Sequence, residues 1–436
     1  MSMPIAGADL RSDLGLGSVT VDWVVNVYPL GVTAVLLPAG AIGARVGHPR
    51  VLWTGAWVSA LFAALAAAAP GAIWLIAARA GLGVGGGLLF GPLLAILAGG
   101  GQGRLQRAIS DYATSIGLAT GAGPVLAAVL VEVFGWQAVP AVSALAALGL
   151  AAVLGRVPRR RVAAAPIDLA GSATFAVAVT AAVFACMESS EFGWLSALVL
   201  GSCGVAVAFA LATLSIERSR PHAILTPRVF ADRGFRASLT AVVGVSQSFA
   251  CVTAFVVPAL PAPGTSLVAA AAIGVVPFAA AMALSSRISR RLRWKPSSSL
   301  GVGFVLQALG LVLVYVAATT AHATLASLPG LVLVGLGIGF ANPTVSFLAV
   351  SGVDPADTAA AAGINNTMRQ LGFAGGVAAF TAISAASVVD AATVRPVALA
   401  AAGVSLLVAA HCHVLLKDRP TVTRAELERS LAVDDR

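Results

Sequence analysis

Thirteen long apolar stretches run through this chain, and its positive charges fall almost entirely in every second gap between them. The stretches are 23–44, 51–69, 71–98, 109–131, 135–154, 168–187, 194–216, 237–260, 267–286, 299–319, 326–350, 359–385 and 396–416. A helix rises about 1.5 Å per residue, so roughly 20 apolar residues cross the hydrocarbon core of a bilayer. Backbone groups in lipid must be paired within the segment, so each stretch is expected to be helical throughout. The pattern predicts an all-α polytopic membrane protein with about 13 transmembrane helices. Inside the spans only Arg79, Asp111, Arg369 and the terminal Asp168 carry charge.

The net charge of +9 is a topology signal. Of 27 Lys and Arg residues, 23 lie in alternate gaps or the C-terminal tail, from Arg45 and Arg50 through to Arg436. Basic loops stay in the cytoplasm during insertion, which places the tail inside and residue 1 outside a cytoplasmic (inner) membrane. That distribution argues against nucleic-acid binding. Glu132, Glu188 and Glu191 fall in the opposite, outer gaps and read as solvated carboxylates.

Enzyme chemistry finds no foothold. The chain is 58% hydrophobic and 10% charged, which leaves no soluble domain for a catalytic core. Gly81-Leu-Gly83-Val-Gly85-Gly86 has dinucleotide-fingerprint spacing but lies inside an apolar run that must be helical. Its glycines, with Gly87 and Gly91, suit close helix packing instead. A P-loop needs Gly-Lys-Ser/Thr, and the only lysines are Lys295 and Lys417. Cys186, Cys203, Cys251 and Cys412 have no ligand or disulfide spacing and read as small buried apolar residues. His411 and His413 around Cys412 form no metal set. No cofactor is expected, and work against a gradient must draw on an ion gradient or on the substrate's own.

Gly81-Leu-Gly-Val-Gly85 recurs as Gly335-Leu-Gly-Ile-Gly339, and at the same offset Gly121 falls on Gly375, Asp111 on Asn365 and Ser115 on Arg369. Two halves in one orientation imply an axis along the membrane normal, a substrate site between them and alternating access by rocking. Gly363-Ile-Asn-Asn-Thr-Met-Arg-Gln-Leu-Gly372 resembles Gly-x-x-Asn-Thr-x-Arg-Gln-Leu-Gly of the fourteen-span drug–proton antiporters of the major facilitator superfamily. Trp23-Val-Val-Asn-Val-Tyr28, Arg79-Ala-Gly-Leu-Gly83, the Gly117–Pro124 element and Asp168-Leu-Ala-Gly171 resemble further motifs of that family. Leu82 replaces a usual glutamine, and Ala127 and Ala128 replace a usual glycine pair.

The resemblance implies a major facilitator fold in pieces. Residues 1–18 would be extracytoplasmic, 19–155 the N-terminal half (family spans two to six), and 156–236 a central two-span linker with basic flanks. Residues 237–416 would be the six-span C-terminal half, and 417–436 a cytoplasmic tail. On this reading the family's first span has no counterpart. The loop after the second family span also departs from the family pattern, with Ala44, His48 and Pro49 at usually charged positions.

The candidate residues follow from these motifs. A central membrane arginine costs about 2.5–3.5 kcal/mol on insertion scales, so Arg79 and Arg369 are expected to face a cavity or an internal partner. Asn26, Tyr28, Gln247, Asn342, Asn365 and Asn366 join them as cavity polars. Asp22, Asp111, Arg45, Gly117, Gly121, Gly123 and Pro124 are the coupling and gating candidates. The expected function is a monomeric secondary transporter that exports small lipophilic compounds against protons within the lipid bilayer. The alternatives are a transport-inactive sensor or assembly relative and an uncoupled facilitator.

Overall fold

The computed structural model describes residues 7–98, 102–157, 169–219, 227–259, 265–292, 294–320, 323–354, 357–384 and 391–417. Every regular element among them is helical. The first group comprises α1 (Gly7–Leu14), α2 (Ser18–Val46), α3 (His48–Ala67), α4 (Ala72–Phe90), α5 (Leu93–Ala98), α6 (Gln102–Phe134) and α7 (Ala138–Gly155). Next come α8 (Leu169–Phe192) and α9 (Ala197–Ser219), then α10 (Pro227–Ala231) and α11 (Arg233–Ala250). A π-helical turn (Cys251–Val256) leads α11 into α12 (Val257–Ala259). The rest are α13 (Leu267–Leu292), α14 (Pro296–Ala317), α15 (Ala323–Ser351), α16 (Thr358–Ser384) and α17 (Ala391–Leu416).

Twelve of these helices are long and apolar enough to cross a membrane. The thirteenth expected span is α16, which has 27 residues but carries Asn365, Asn366, Thr367, Arg369 and Gln370. Polarity runs opposite to that of a water-soluble fold. Ile73, Leu195 and Leu407 are outward and exposed, whereas Ser285, Gln307 and Asn365 are fully buried. Lipid accepts the former, and paired neighbours must satisfy the latter.

One expectation needs correction. Residues 71–98 do not form one helix, because α4 stops at Phe90 and α5 restarts at Leu93. Pro92 has no N–H to continue the ladder, so the chain turns at Gly91-Pro92. The fingerprint glycines nevertheless lie wholly inside α4, which excludes the strand–turn–helix a dinucleotide needs.

The repeat is visible in which helices touch. In the N-terminal half α4 packs on α2 and α3, and α3 packs on α7. In the C-terminal half α15 packs on α13 and α14, and α14 packs on α17. Glycines make these crossings close. A Cβ on Gly87 would stand 2.7 Å from the Val32 carbonyl oxygen, and one on Gly310 would stand 2.6 Å from that of Gly330. Without a hydrophobic drive between helices in lipid, such backbone approach is a main source of association.

The halves meet along two seams. On one side α6 packs on α13, where a Cβ at Gly117 would reach the Ala283 nitrogen at 2.9 Å and one at Gly121 the Ala279 Cβ at 2.8 Å. On the other side α2 packs on α16, and α8 lies against both. Helix α9 rests on α8. An apolar groove of about 540 Å³ opens between α2 and α8, lined by Ala34, Pro38, Ala173, Val177, Thr180 and Phe184.

Candidate functional site

Arg79 points from α4 into α2. Its Nε donates to the Val24 carbonyl at 3.0 Å and an Nη to that of Val25 at 3.5 Å, while its guanidinium lies 5.1 Å from the Tyr28 ring centre. Pro29 sits inside α2 and has no N–H, so the Val25 carbonyl four residues earlier lacks its usual donor. The arginine fills that gap. The second half contains the same device: Pro343 in α15 leaves the Gly339 carbonyl without its helical donor, and the Ser286 hydroxyl of α13 donates to it at 3.1 Å. Arg79 is therefore a tie between two helices of one half as well as a buried charge near their polar face.

Arg369 occupies the seam. It projects from α16 and donates to Asn342 Oδ1 on α15 at 2.9 Å. Tyr112, from α6 of the other half, interacts electrostatically with it. Tyr112 packs against a buried cluster of Ile109 of α6, Ala349 and Val350 of α15, and Ala362 of α16. Sequence reasoning missed Tyr112. A signal was present, since the chain has only three tyrosines and each faces an arginine: Tyr28 with Arg79, Tyr112 with Arg369, and Tyr315 with Arg395.

The other candidates divide by helix face. Asn365 is fully buried and its Nδ2 donates to the Ser238 hydroxyl of α11 at 3.3 Å. Asn366 is also buried, and Asn26 and Tyr28 are half-buried. Gln247 is turned into the C-terminal half, where its Nε2 donates to the Ala401 carbonyl at 3.3 Å and to Ser248 at 3.1 Å. Ser248 in turn pairs with Ser405 at 3.1 Å, so this network joins α11 to α17. Gln247 thus stands behind the seam and not on it.

The gating candidates separate likewise. Gly117 and Gly121 lie on the seam with α13, Pro124 is buried within α6, and a Cβ on Gly123 would meet nothing within 4 Å. Arg45 and Asp111 are exposed. Pro49 occupies the first turn of α3, a position proline favours, and Arg50 donates to the Val46 carbonyl at 3.1 Å across the turn made by Gly47 (φ 97°). The side chains of Asp22, Arg104 and Arg107, along with residues 158–168, 418–436 and Met1 to Ala6, lie outside the described residues.

Glu188 is a correction. It was expected to be solvated in an outer gap, yet it is 6% exposed. Helix α8 continues past Met187 to Phe192, and Glu188 falls beside Ala185 and Ser189 on its buried side. Among the described residues it is the one buried carboxylate. Glu191 is exposed as expected, and exposed Glu132 accepts the Val268 N–H at 3.3 Å, placing an acid at the N-terminus of α13 where the helix dipole favours it. Cys186 and Cys203 also differ from expectation: they are only half-buried and interact across α8 and α9.

Comparison with known proteins agrees with this architecture. The chain is 28% identical over 398 residues to the cephamycin export protein CmcT of Amycolatopsis lactamdurans, covering 87% of this chain and 80% of that one. It is 26% identical over 394 residues to the methylenomycin A resistance protein of Streptomyces coelicolor, covering 86% and 80%. Its fold matches that of the proton:xylose symporter XylE with a TM-score of 0.68 at 13% identity, over 99% of this chain and 94% of the other. The family profile described as Major Facilitator Superfamily matches residues 1–377. With repeat-related halves and a charged seam already in place, this chain belongs to the Major Facilitator Superfamily and is a membrane transporter, not an enzyme.

Proposed function

We propose that the protein is a secondary active exporter of small, mainly lipophilic compounds, driven by proton antiport through alternating access. The observation that carries this is Arg369, a half-buried cation braced by Asn342 in one half and facing Tyr112 of the other. A partly buried charge at the junction of two bodies changes its surroundings when they rock, which makes their relative energies sensitive to what binds beside it. The apolar groove between α2 and α8 suits apolar cargo, and the relatives named as antibiotic exporters support outward transport.

Proton exchange needs a carboxylate whose surroundings alternate. Asp22, Asp111 and Glu188 are the candidates, and Glu188 on α8 touches the seam through the helix that carries it. Basic gaps on the cytoplasmic side put the C-terminus inside the cell, so export runs away from them. The test uses inverted vesicles with an imposed pH gradient, acid inside, and a panel of lipophilic cations and neutral antibiotics. Accumulation that rises with the gradient is expected. Accumulation indifferent to it across the panel sinks the antiport reading, and flux that never runs uphill replaces it with an uncoupled facilitator.

A further inference from the structure

Arg79 is satisfied within its own half, since its guanidinium meets the Val24 and Val25 carbonyls and the Tyr28 ring. Arg369 is not. Among the described residues it donates to one acceptor, Asn342 Oδ1, and no carboxylate pairs with it. Asp111 is exposed on α6, and Glu188 lies on α8. A guanidinium carries five N–H donors in a fixed fork, so a single amide oxygen leaves most of that capacity open. A cation held inside a span without an anion is costly, and an anion placed beside it lowers the cost.

The surroundings select the kind of anion. Phe373 follows Arg369 by four residues and so shares its face of α16. Its ring centre lies 6.2 Å from that of Phe249 on α11, which in turn lies 5.8 Å from that of Phe278 on α13. Phe278 is fully buried, whereas Phe249 and Phe373 are half-buried and leave part of their rings open. From the other half Tyr112 faces Arg369, and one turn along α6 Ile116 packs on the core of the C-terminal half. A charged fork thus stands one helical turn, about 6 Å of rise, from a patch of rings. A carboxylate joined to a two-ring arene spans that interval.

We infer that the seam takes aromatic organic anions, with the carboxylate on Arg369 and Asn342 and the ring against Phe249 and Phe373. This rests on the exporter reading and narrows its cargo within the lipophilic class. The arene joins a cluster whose centroid spacings already suit ring–ring contact, and the Asn342 amide can donate to the second carboxylate oxygen. The carboxylate also cancels the charge of Arg369, so closing the seam over cargo costs less than closing it over the bare cation.

The test is equilibrium binding to the full chain in nanodiscs of zwitterionic lipid, with no gradient. The probe is naphthoate, compared with neutral naphthamide, cationic naphthylmethylammonium and the saturated acid decalin carboxylate. Naphthoate is expected to bind about tenfold more tightly than the amide and about threefold more tightly than the saturated acid, with the ammonium weakest. Arg369→Ala should erase the preference for acid over amide, and Arg369→Lys should keep part of it. Phe373→Leu should erase the preference for the arene and leave that for the acid. Should Arg369→Ala lower the folded yield, Arg369→Met, which keeps the apolar stem, replaces it. Equal affinities for naphthoate and naphthamide overturn the inference. So does a preference for the acid that survives loss of Arg369, which would put the anion on the cytoplasmic arginines. Export of neutral compounds without naphthoate binding removes this inference and leaves the exporter reading in place, whereas tight naphthoate binding without flux of any compound does the reverse.

Discussion

Arg369 and Arg79 share a residue type and a place inside the membrane spans but not a role, and mutation separates them. A hydrogen bond to a charged group contributes about 1.5–3 kcal/mol. For Arg369, whose partners are Asn342 of its own half and Tyr112 of the other, that energy would be set against any movement of one half relative to the other. Arg369→Ala is expected to keep its folded yield and lose flux per folded molecule by roughly tenfold or more. Arg369→Lys should recover only part, since lysine lacks the planar fork. Unchanged flux in a well-folded Arg369→Ala protein would remove the role. Glu188 provides the second residue-scale test. Glu188→Gln keeps the shape and removes the exchangeable charge, so downhill flux should persist while the response to an imposed pH gradient vanishes. A full gradient response in Glu188→Gln would pass the coupling role to Asp22 or Asp111. Sequence reasoning located the arginines through their cost in lipid, but not Glu188. Its burial depends on α8 running one turn beyond Met187, which hydropathy does not register.

The existence of each membrane-length helix was legible from its apolar run, whereas its rotation, the break at Gly91-Pro92 and the short helices were not. Gln247 illustrates why. A polar residue in a span must face another protein surface, and hydropathy cannot distinguish the seam from the interior of one half. Only the contacts with Ala401 and Ser248 decide it. Glycine spacing is better determined, because a helix that needs a close neighbour needs it along one stripe. Gly83 meets the Tyr28 carbonyl and Gly31 of α2, whereas Gly123 faces open space. Gly83→Val should therefore cost at least about 1–3 kcal/mol through overpacking and sharply reduce folded protein after detergent extraction. Gly123→Ala should match the parent in yield and thermal midpoint. Equal yields for the two variants would show that α2 and α4 do not pack through this stripe.

At the level of the whole molecule, the contacts sort into those within each half and those between the halves. Ser299 and Thr344 bond at 2.9 Å across α14 and α15, both within the C-terminal half. Leu37 of α2 and Gly363 of α16 meet across the seam, where a Cβ on Gly363 would stand 3.5 Å from the Leu37 Cα. That separation lies within reach of a disulfide. In a background with Cys186 and Cys203 replaced by alanine, the pair Leu37→Cys and Gly363→Cys should cross-link under mild oxidation. If alternating access is rocking of one half against the other, the cross-link fixes one arrangement. Flux should fall to the background of empty vesicles and return on reduction. The pair Ser299→Cys and Thr344→Cys ties two helices that move together, so oxidation there should leave most of the flux. Undiminished flux with the Leu37–Gly363 link fully formed would mean that this seam does not open, and that substrate crosses by a route the two-body motion does not control.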